Sequence, residues 1–473
     1  MLNQAFVWVI FVLSTVAGLY LFYKAAGGYK RITISITFLA FYLVFIYIGS
    51  PILFIREGMT NIRYFIAANA GIILIPIGML IANELFKFSP RIEIEVYNKI
   101  DIVTNIQNRV KVVWLITVII GVIVCWTYVS KLDPIPLFYG FTNTGESSQI
   151  AVLRQQSTKE FANYELYQDM MNLILPFLIA MLFIRYQQTK NKTMLILFIL
   201  LSSLNIFALI ATTEKAPAMF FILTMLVVYF IAQKGIRVKG IIIALILIIG
   251  INYLITFMKI APNSEWVDSS SSSTDIDVPS ESGPIDWPIS SIKDKISRAS
   301  QGLLERLIMG QTSGLYYYFE IFPQTHGFLK GMSIPNPLGL PYEYVNTSQY
   351  VYKIVYPDSP LNGTIPTVFF GDVYANFGYI VMLLSMVVVG FVMQLADIYF
   401  VRAIKTIVNT SFYSVLFLLF GKLGITTFFS AVFNTGTIAL ALLYLVLKYL
   451  NNEKVEIRNL WGRPSVMREV EPS

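Results

Sequence analysis

The sequence has one cysteine and one histidine among 473 residues, and few of its residues are charged. A single cysteine, Cys125, excludes a disulfide framework and a cysteine metal cluster, and a single histidine, His326, excludes a histidine-rich metal site. Charged residues make up 13% of the chain and hydrophobic residues 56%, against roughly 25% and 45–50% in soluble domains. A water-soluble globule could not bury that much apolar surface, so a soluble enzyme is excluded.

Long apolar runs recur along nearly the whole chain, and they are continuous rather than alternating. A run of about 20 apolar residues crosses a bilayer as a helix, whereas a membrane β-barrel requires alternation. The sequence therefore predicts an all-α polytopic membrane protein with about eleven transmembrane helices (ten to twelve). The predicted spans are 5–23, 32–55, 64–86, 112–129, 170–186, 193–212, 217–233, 238–259, 376–397, 409–426 and 434–450. Lys422, Gly424 and Asn434 interrupt the last stretch, so we expect part of 409–450 to be broken or re-entrant.

The basic residues indicate which side of the membrane each loop occupies. With the N-terminus outside and the C-terminus inside, every short inner loop carries lysine or arginine, and the outer loops are acidic overall. The net charge of +7 is then a sign of orientation and not of nucleic-acid binding.

The predicted spans and loops divide the chain into six regions. These are the N-terminal spans (1–129), a first extracytoplasmic loop (130–169), spans five to eight (170–259), a second extracytoplasmic loop (260–375), the C-terminal spans (376–450) and a cytoplasmic tail (451–473). The second loop begins with a serine-rich part, 264–290, which we expect to be flexible. From Ile292 to Leu307 apolar residues recur at helical spacing, which predicts an amphipathic helix at the membrane interface.

The outer loops hold the residues that could bind a substrate or take part in catalysis. Cations there suit a lipid-linked pyrophosphate, because arginine binds phosphate oxygens in a bidentate manner, and a carboxylate nearby could act as general base on a sugar hydroxyl. The cations are Arg154, Lys159, Lys215, Arg298 and Arg306, and the candidate bases are Glu320, His326 and Asp372. Each has a structural alternative: interfacial anchoring for an arginine, a local ion pair for Glu214–Lys215, a turn for His326, and packing for the aromatic run 316–319.

Three segments resemble the Wzy-type polymerases, which are O-antigen or oligosaccharide repeat-unit polymerases. Segment 133–138 (DPIPLF), followed by Arg154, is similar to their first periplasmic loop, and segment 305–310 (ERLIMG) is similar to the second. Segment 366–378 (PTVFFGDVYANFG) resembles the entry to the next span and is the most specific match. The many spans with one moderate and one long outer loop extend the resemblance over most of the chain.

The resemblance implies a metal-independent, lipid-carrier-dependent glycosyltransferase without a cofactor. It would join repeat units carried on undecaprenyl pyrophosphate, at the outer face of the bacterial cytoplasmic membrane, alongside a flippase and a chain-length regulator. Arg154 and Arg306 would stabilise the leaving pyrophosphate, with Arg298, Lys215 and Lys159 as further substrate-binding cations. Asp372, Glu320 and His326 are the candidates for the base, and Tyr317 and Tyr374 would stack on sugar rings.

Three alternatives stay open at this point. An O-antigen-ligase-type transferase shares this architecture and chemistry. A flippase or transporter of lipid-linked oligosaccharide belongs to a different class and would need a polar path through the spans. A non-catalytic scaffold for glycan assembly is the third.

Overall fold

A computed structural model of the chain describes residues 4–56, 62–143, 147–158, 164–259, 309–336, 341–359 and 363–451. Within these ranges the chain is helical and has no strand, and its β-structure is limited to an isolated bridge between Val103 and Thr406. Three predicted site residues, Lys159, Arg298 and Arg306, lie outside the described residues. The serine-rich segment and the predicted helix from Ile292 to Leu307 lie outside them as well.

Each of the eleven predicted spans coincides with a helical segment. In chain order these are α1 (Gln4–Ala26), α2 (Ile34–Arg56), α3 (Ile62–Leu85), α5 (Asn108–Val129), α8 (Tyr164–Thr189), α9 (Lys192–Ala211), α10 (Ala216–Ala232), α11 (Val238–Lys259), α14 (Phe369–Arg402), α15 (Ile407–Lys422) and α17 (Thr435–Leu450). Nine helical segments in the described part of the chain are long and apolar enough to cross a membrane, the last of them Phe428–Leu450, which includes α17, and α10 and α15 are shorter. The prediction of a multi-pass helical membrane protein is confirmed, and the number of crossings stays a prediction.

Shorter helices connect these elements. They are α4 (Pro90–Lys99), α6 (Pro136–Thr142), α7 (Ser147–Thr158), α12 (309–321), α13 (Thr347–Val355) and α16 (Phe428–Val432). The predicted interruption of 409–450 corresponds to the turn after Lys422, the short α16, and Asn434, whose side chain caps the first turn of α17.

The tightest helix contact is between α3 and α14, where glycines let the two backbones touch. A Cβ atom added at Gly78 would lie 1.9 Å from the carbonyl oxygen of Val387, and one added at Gly390 would lie 1.9 Å from that of Ile75. Close approach at small residues is how helices associate in a membrane, where lipid offers apolar side chains no incentive to cluster.

The faces turned away from the bundle are apolar. Leu13 on α1, Trp126 on α5, Leu200 on α9 and Ile246 on α11 are each more than half exposed. In water such a surface would drive association, whereas in a bilayer it contacts acyl chains. The outward faces therefore place this protein in contact with lipid.

The helices bring the connecting segments together in two groups. At one end, called here the basic end, the turns at 27–33, 86–107, 233–237 and 403–406 meet: Arg402 pairs with Glu93, and Lys234 pairs with Asp101. The other group, called the loop end, contains the described parts of 56–63, 130–169, 212–216, 309–378 and 422–436. This grouping follows the division of loops predicted from the basic residues, although which end faces the cytoplasm stays a prediction.

Candidate functional site

Seven of the predicted site residues are described, and all belong to the loop end: Arg154, Lys215, Tyr317, Glu320, His326, Asp372 and Tyr374. They fall into two clusters. Arg154 and Lys215 lie near the start of α8 and α10, and the other five lie around the first turns of α14.

The first cluster is built on stacked tyrosines. The rings of Tyr128 and Tyr167 stack with centroids 3.8 Å apart, and the ring of Tyr164 lies 5.9 Å from that of Tyr128. The Tyr128 hydroxyl donates to the backbone carbonyl of Ser157, which holds the end of α7 against α5. Arg154 is on α7, so these rings fix the position of its backbone.

Arg154 is linked to the segment that carries Lys215 through Tyr164 and Glu214. Arg154 is close enough to influence the Tyr164 hydroxyl electrostatically, and that hydroxyl donates to Glu214 at 3.4 Å. Lys215, the next residue, donates from Nζ to the side-chain oxygen of Asn252 on α11 at 2.8 Å. The predicted catalytic Arg154 and the predicted substrate-binding Lys215 therefore lie in one partly buried polar cluster with Tyr164, Glu214 and Asn252.

The second cluster centres on the Asp372 carboxylate, which is almost completely buried. Its Oδ1 accepts from the hydroxyls of Thr347 at 2.8 Å and Ser333 at 3.2 Å, and its Oδ2 accepts from the backbone N–H of Phe429 at 3.2 Å. These donors come from three separate segments, since Thr347 begins α13 and Phe429 lies in α16. In this arrangement Asp372 ties the second loop and α16 to the start of α14.

Asn376 extends this network by one turn of helix. Its amide nitrogen donates to Ser333 Oγ at 2.7 Å, and its side-chain oxygen accepts from the backbone N–H of Gly331 at 3.1 Å. Two turns into α14, Gly378 breaks the helix with a φ of 80°, and a Cβ there would lie 3.2 Å from the Phe328 ring. Only glycine adopts this conformation readily while the loop lies so close.

Tyr374 is part of the packing in this conformation. It is 2% exposed, its ring stacks on Phe319 at 4.1 Å, and its hydroxyl donates to the carbonyl of Phe322 at 2.8 Å. Tyr317, half-buried, lies 5.7 Å edge-on from Tyr316. The role of Tyr317 and Tyr374 in stacking on sugars stays a prediction.

Glu320 and His326 are the more accessible candidates for a base. Glu320 is exposed and bonds to Tyr316, whose pKa is raised to about 12, chiefly by burial and further by that carboxylate. His326 is partly exposed and meets the ring of Tyr350 edge-on at 5.6 Å. Its Nδ1 is buried and has no hydrogen-bond partner among the described residues.

The two clusters lie within electrostatic range of each other. The Tyr344 hydroxyl in the second loop experiences the charges of both Asp372 and Glu165, and Thr435 donates to Asp169. Glu165 and Asp169 lie in the first two turns of α8, next to Tyr164. In the ranges that the structure describes, no three side chains of the metal-ligating types come together.

Two cations at this end were not among the predicted site residues. Arg63, exposed at the start of α3, interacts with the Tyr374 hydroxyl. Lys422, on the last turn of α15, lies 4.5 Å from the centre of the Phe220 ring and forms no ion pair with any described residue. A lysine inside an apolar stretch is the signal that marks Lys422 in the sequence, because an intramembrane charge is costly.

No protein-family model matches this chain, and no curated protein or solved structure matches it either. Four described cations (Arg63, Arg154, Lys215 and Lys422) and accessible proton acceptors occupy one end of a membrane bundle. That combination suits an anionic, lipid-linked substrate whose reaction needs proton transfer.

Proposed function

We propose that the protein is a polymerase that joins undecaprenyl-pyrophosphate-linked oligosaccharide repeat units into a bacterial surface polysaccharide. The observation that supports this most is the gathering of described residues from both long loops at one end of the bundle, where Tyr344 lies within electrostatic range of Asp372 and Glu165. A transferase of this kind must hold two lipid-linked substrates side by side at one membrane surface. Two neighbouring clusters, each with its own cation, provide for that arrangement.

The proposed reaction exchanges one bond for another. A hydroxyl of the acceptor unit attacks the anomeric carbon of the donor chain, and the bond from that carbon to the pyrophosphate oxygen breaks. The hydroxyl proton passes to a base, and the lipid pyrophosphate leaves with the bonding electron pair. Arg154 and Lys215 stabilise the negative charge of the leaving pyrophosphate in the first cluster. In this proposal Arg306 and Arg298 have the same role.

Burial distinguishes the candidate bases. Asp372 already accepts hydrogen bonds from Ser333, Thr347 and Phe429 and is shielded from solvent. Glu320 is exposed, and His326 is partly exposed. We therefore favour Glu320 or His326 as the base and assign Asp372 to positioning the second loop.

Deleting the gene and separating the surface glycan by size tests the proposed function. We expect single repeat units on the final acceptor and no long chains, because polymerisation is lost while transfer and export continue. Loss of all attached glycan would instead indicate a ligase. Accumulation of lipid-linked units on the inner face would indicate a flippase.

Substitution of Arg154 tests the site. Arg154→Ala should abolish long chains, and Arg154→Lys should restore them only in part, because lysine keeps the charge but lacks the planar fork. Arg306→Ala should match Arg154→Ala. The matched control is Arg237→Ala, at an exposed position of the basic end, which should leave chain length unchanged. Normal chain length in Arg154→Ala at normal expression would overturn the assignment.

A further inference from the structure

A cleft of about 680 Å³ opens at the basic end, on the opposite side of the bundle from the site proposed above. It lies between the last turn of α1, the turn that follows it, and α4. Its lining residues are Tyr23, Gly27, Gly28, Tyr29, Lys30, Arg31, Arg91, Glu95, Asn98, Lys99 and Lys234.

The cleft carries an excess of positive charge. Five of the lining side chains are basic and one, Glu95, is acidic. Glu95 is shared by Lys99 at 3.1 Å and Arg31 at 3.5 Å, and these two cations lower its pKa. Lys30 and Arg91 are exposed and pair with no carboxylate among the described residues. The cleft can therefore accept an anion without breaking an existing ion pair.

The backbone adds to this positive potential. Gly27 and Gly28 have φ values of 70° and 114°, and a Cβ at Gly27 would lie 2.6 Å from the backbone nitrogen of Arg91. The turn is thus pressed against the N-terminus of α4, a helix of ten residues. The positive end of the α4 dipole attracts anions; Glu93 in the first turn accepts from the Ser89 N–H, pairs with Arg402 and offsets part of that potential.

The surroundings of the cleft distinguish a lipid from a soluble anion. Tyr23 and Tyr29 are exposed at its rim with their rings 5.6 Å apart, as in the aromatic belts at membrane interfaces. Farther along α1, Leu13 and Val16 are exposed and apolar. An anion in the cleft would have an apolar surface for acyl chains beside it.

We propose that this cleft binds the phosphate headgroup of an anionic phospholipid, with its acyl chains along the exposed face of α1. Lys30 and Arg91 contact the phosphate directly, and the tyrosines at the rim flank the glycerol region. The charge bias that orients a membrane protein requires only exposed basic residues near the membrane. In this cleft the basic residues instead converge on a glycine turn and a helix N-terminus.

Lipid retention by the full-length protein, measured by native mass spectrometry after mixing with phosphatidylglycerol or phosphatidylcholine, tests the proposal. The wild type should retain phosphatidylglycerol and not phosphatidylcholine. Lys30→Gln/Arg91→Gln should weaken phosphatidylglycerol binding about thirtyfold, since two interfacial cations are lost. Arg237→Gln/Lys239→Gln, which removes two exposed cations at the same end, should bind like the wild type.

Two further results would overturn the proposal. Equal retention of phosphatidylglycerol by the cleft variant and the control variant, both with wild-type melting temperatures, would place the lipid elsewhere. Displacement of phosphatidylglycerol by millimolar inorganic phosphate would identify a site for a soluble anion. An absence of displacement by phosphate, together with the loss in the cleft variant, would support the lipid assignment. None of these readouts depends on glycan synthesis.

Discussion

Charged side chains buried at the basic end are held by specific partners. Asp397 is completely buried, and its carboxylate accepts from the backbone N–H of Ile34 at 3.1 Å, the Ser35 hydroxyl at 3.2 Å and the Tyr413 hydroxyl at 2.6 Å. A buried charge costs several kcal/mol unless such donors compensate for lost water. Because these donors come from α2 and α15, Asp397 fastens three helices, and its burial argues for a structural role and not for a transport path.

The ion pair between Arg402 and Glu93 provides a prediction at the residue scale. Arg402 donates from Nε and Nη2 at 2.8 and 2.9 Å, and both side chains are less than 10% exposed. Arg402→Lys should lower the free energy of unfolding by about 1–3 kcal/mol, because lysine cannot make both bonds. The measurement is thermal unfolding in detergent. Lys99→Gln, in an exposed pair with Glu95, should cost less than about 1 kcal/mol, and equal losses would contradict the argument.

The stability of the folded protein should depend on pH in the alkaline range because of Lys405. Its ammonium group donates to the carbonyls of Tyr97 at 3.0 Å and Ile100 at 3.1 Å, and burial lowers its pKa from 10.5 to about 8, with a further lowering by Lys234. Between pH 8 and 10.5 the unfolded chain binds more protons at this residue than the folded one. Stability relative to Lys405→Met should therefore rise with pH across that window.

The difference in melting temperature between wild type and Lys405→Met, followed from pH 7 to pH 10.5, checks this. Groups common to both proteins cancel in the difference. Lys239→Met, at an exposed position, should give a difference that is flat with pH. A flat difference for Lys405→Met would mean that the lysine is not shielded from water.

At the scale of helices, the contact between α3 and α14 depends on glycine. Gly390→Ala should destabilise the protein by about 1–3 kcal/mol or more, because the added methyl group meets the backbone carbonyl of Ile75, which cannot rotate away. Gly250→Ala on α11, where nothing lies within 4 Å, should be neutral or stabilise by up to about 1 kcal/mol. Melting temperatures of the two variants decide this, and similar values would show that the helices do not touch at Gly390.

Helix boundaries show where apolar patterning stops being informative. The predicted span 376–397 begins close to Gly378, where the helix is broken, and α14 also includes a helical segment, 369–377, before that break. Polar residues such as Asp372 and Asn376 suggest a loop when read alone. They lie in a helical segment because partners in the second loop, which are distant in sequence, form hydrogen bonds with their side chains.

At the scale of the whole molecule, the two groups of loops make the topology testable. Reporter fusions after residues 140 and 345 should both report the outside, and a fusion after residue 236 should report the inside, because the basic turns gather at one end and the long loops at the other. The readout is the activity of a reporter that works on only one side of the membrane. A fusion after 140 or 345 that reports the inside would reverse the proposed location of the site.

The sequence by itself determined that this is a multi-pass helical membrane protein and located its apolar segments, because each helix satisfies its own backbone and must match the bilayer thickness. Only the tertiary structure decided which charged residues are neighbours. Tyr164 and Glu214 link Arg154 to the segment that carries Lys215. The buried Asp372 accepts hydrogen bonds from residues far away in the chain. Such contacts depend on how helices pack, which hydropathy and charge in one sequence do not specify. The scarcity of charge kept the list of candidates short, and folding divided that list into two clusters at one end.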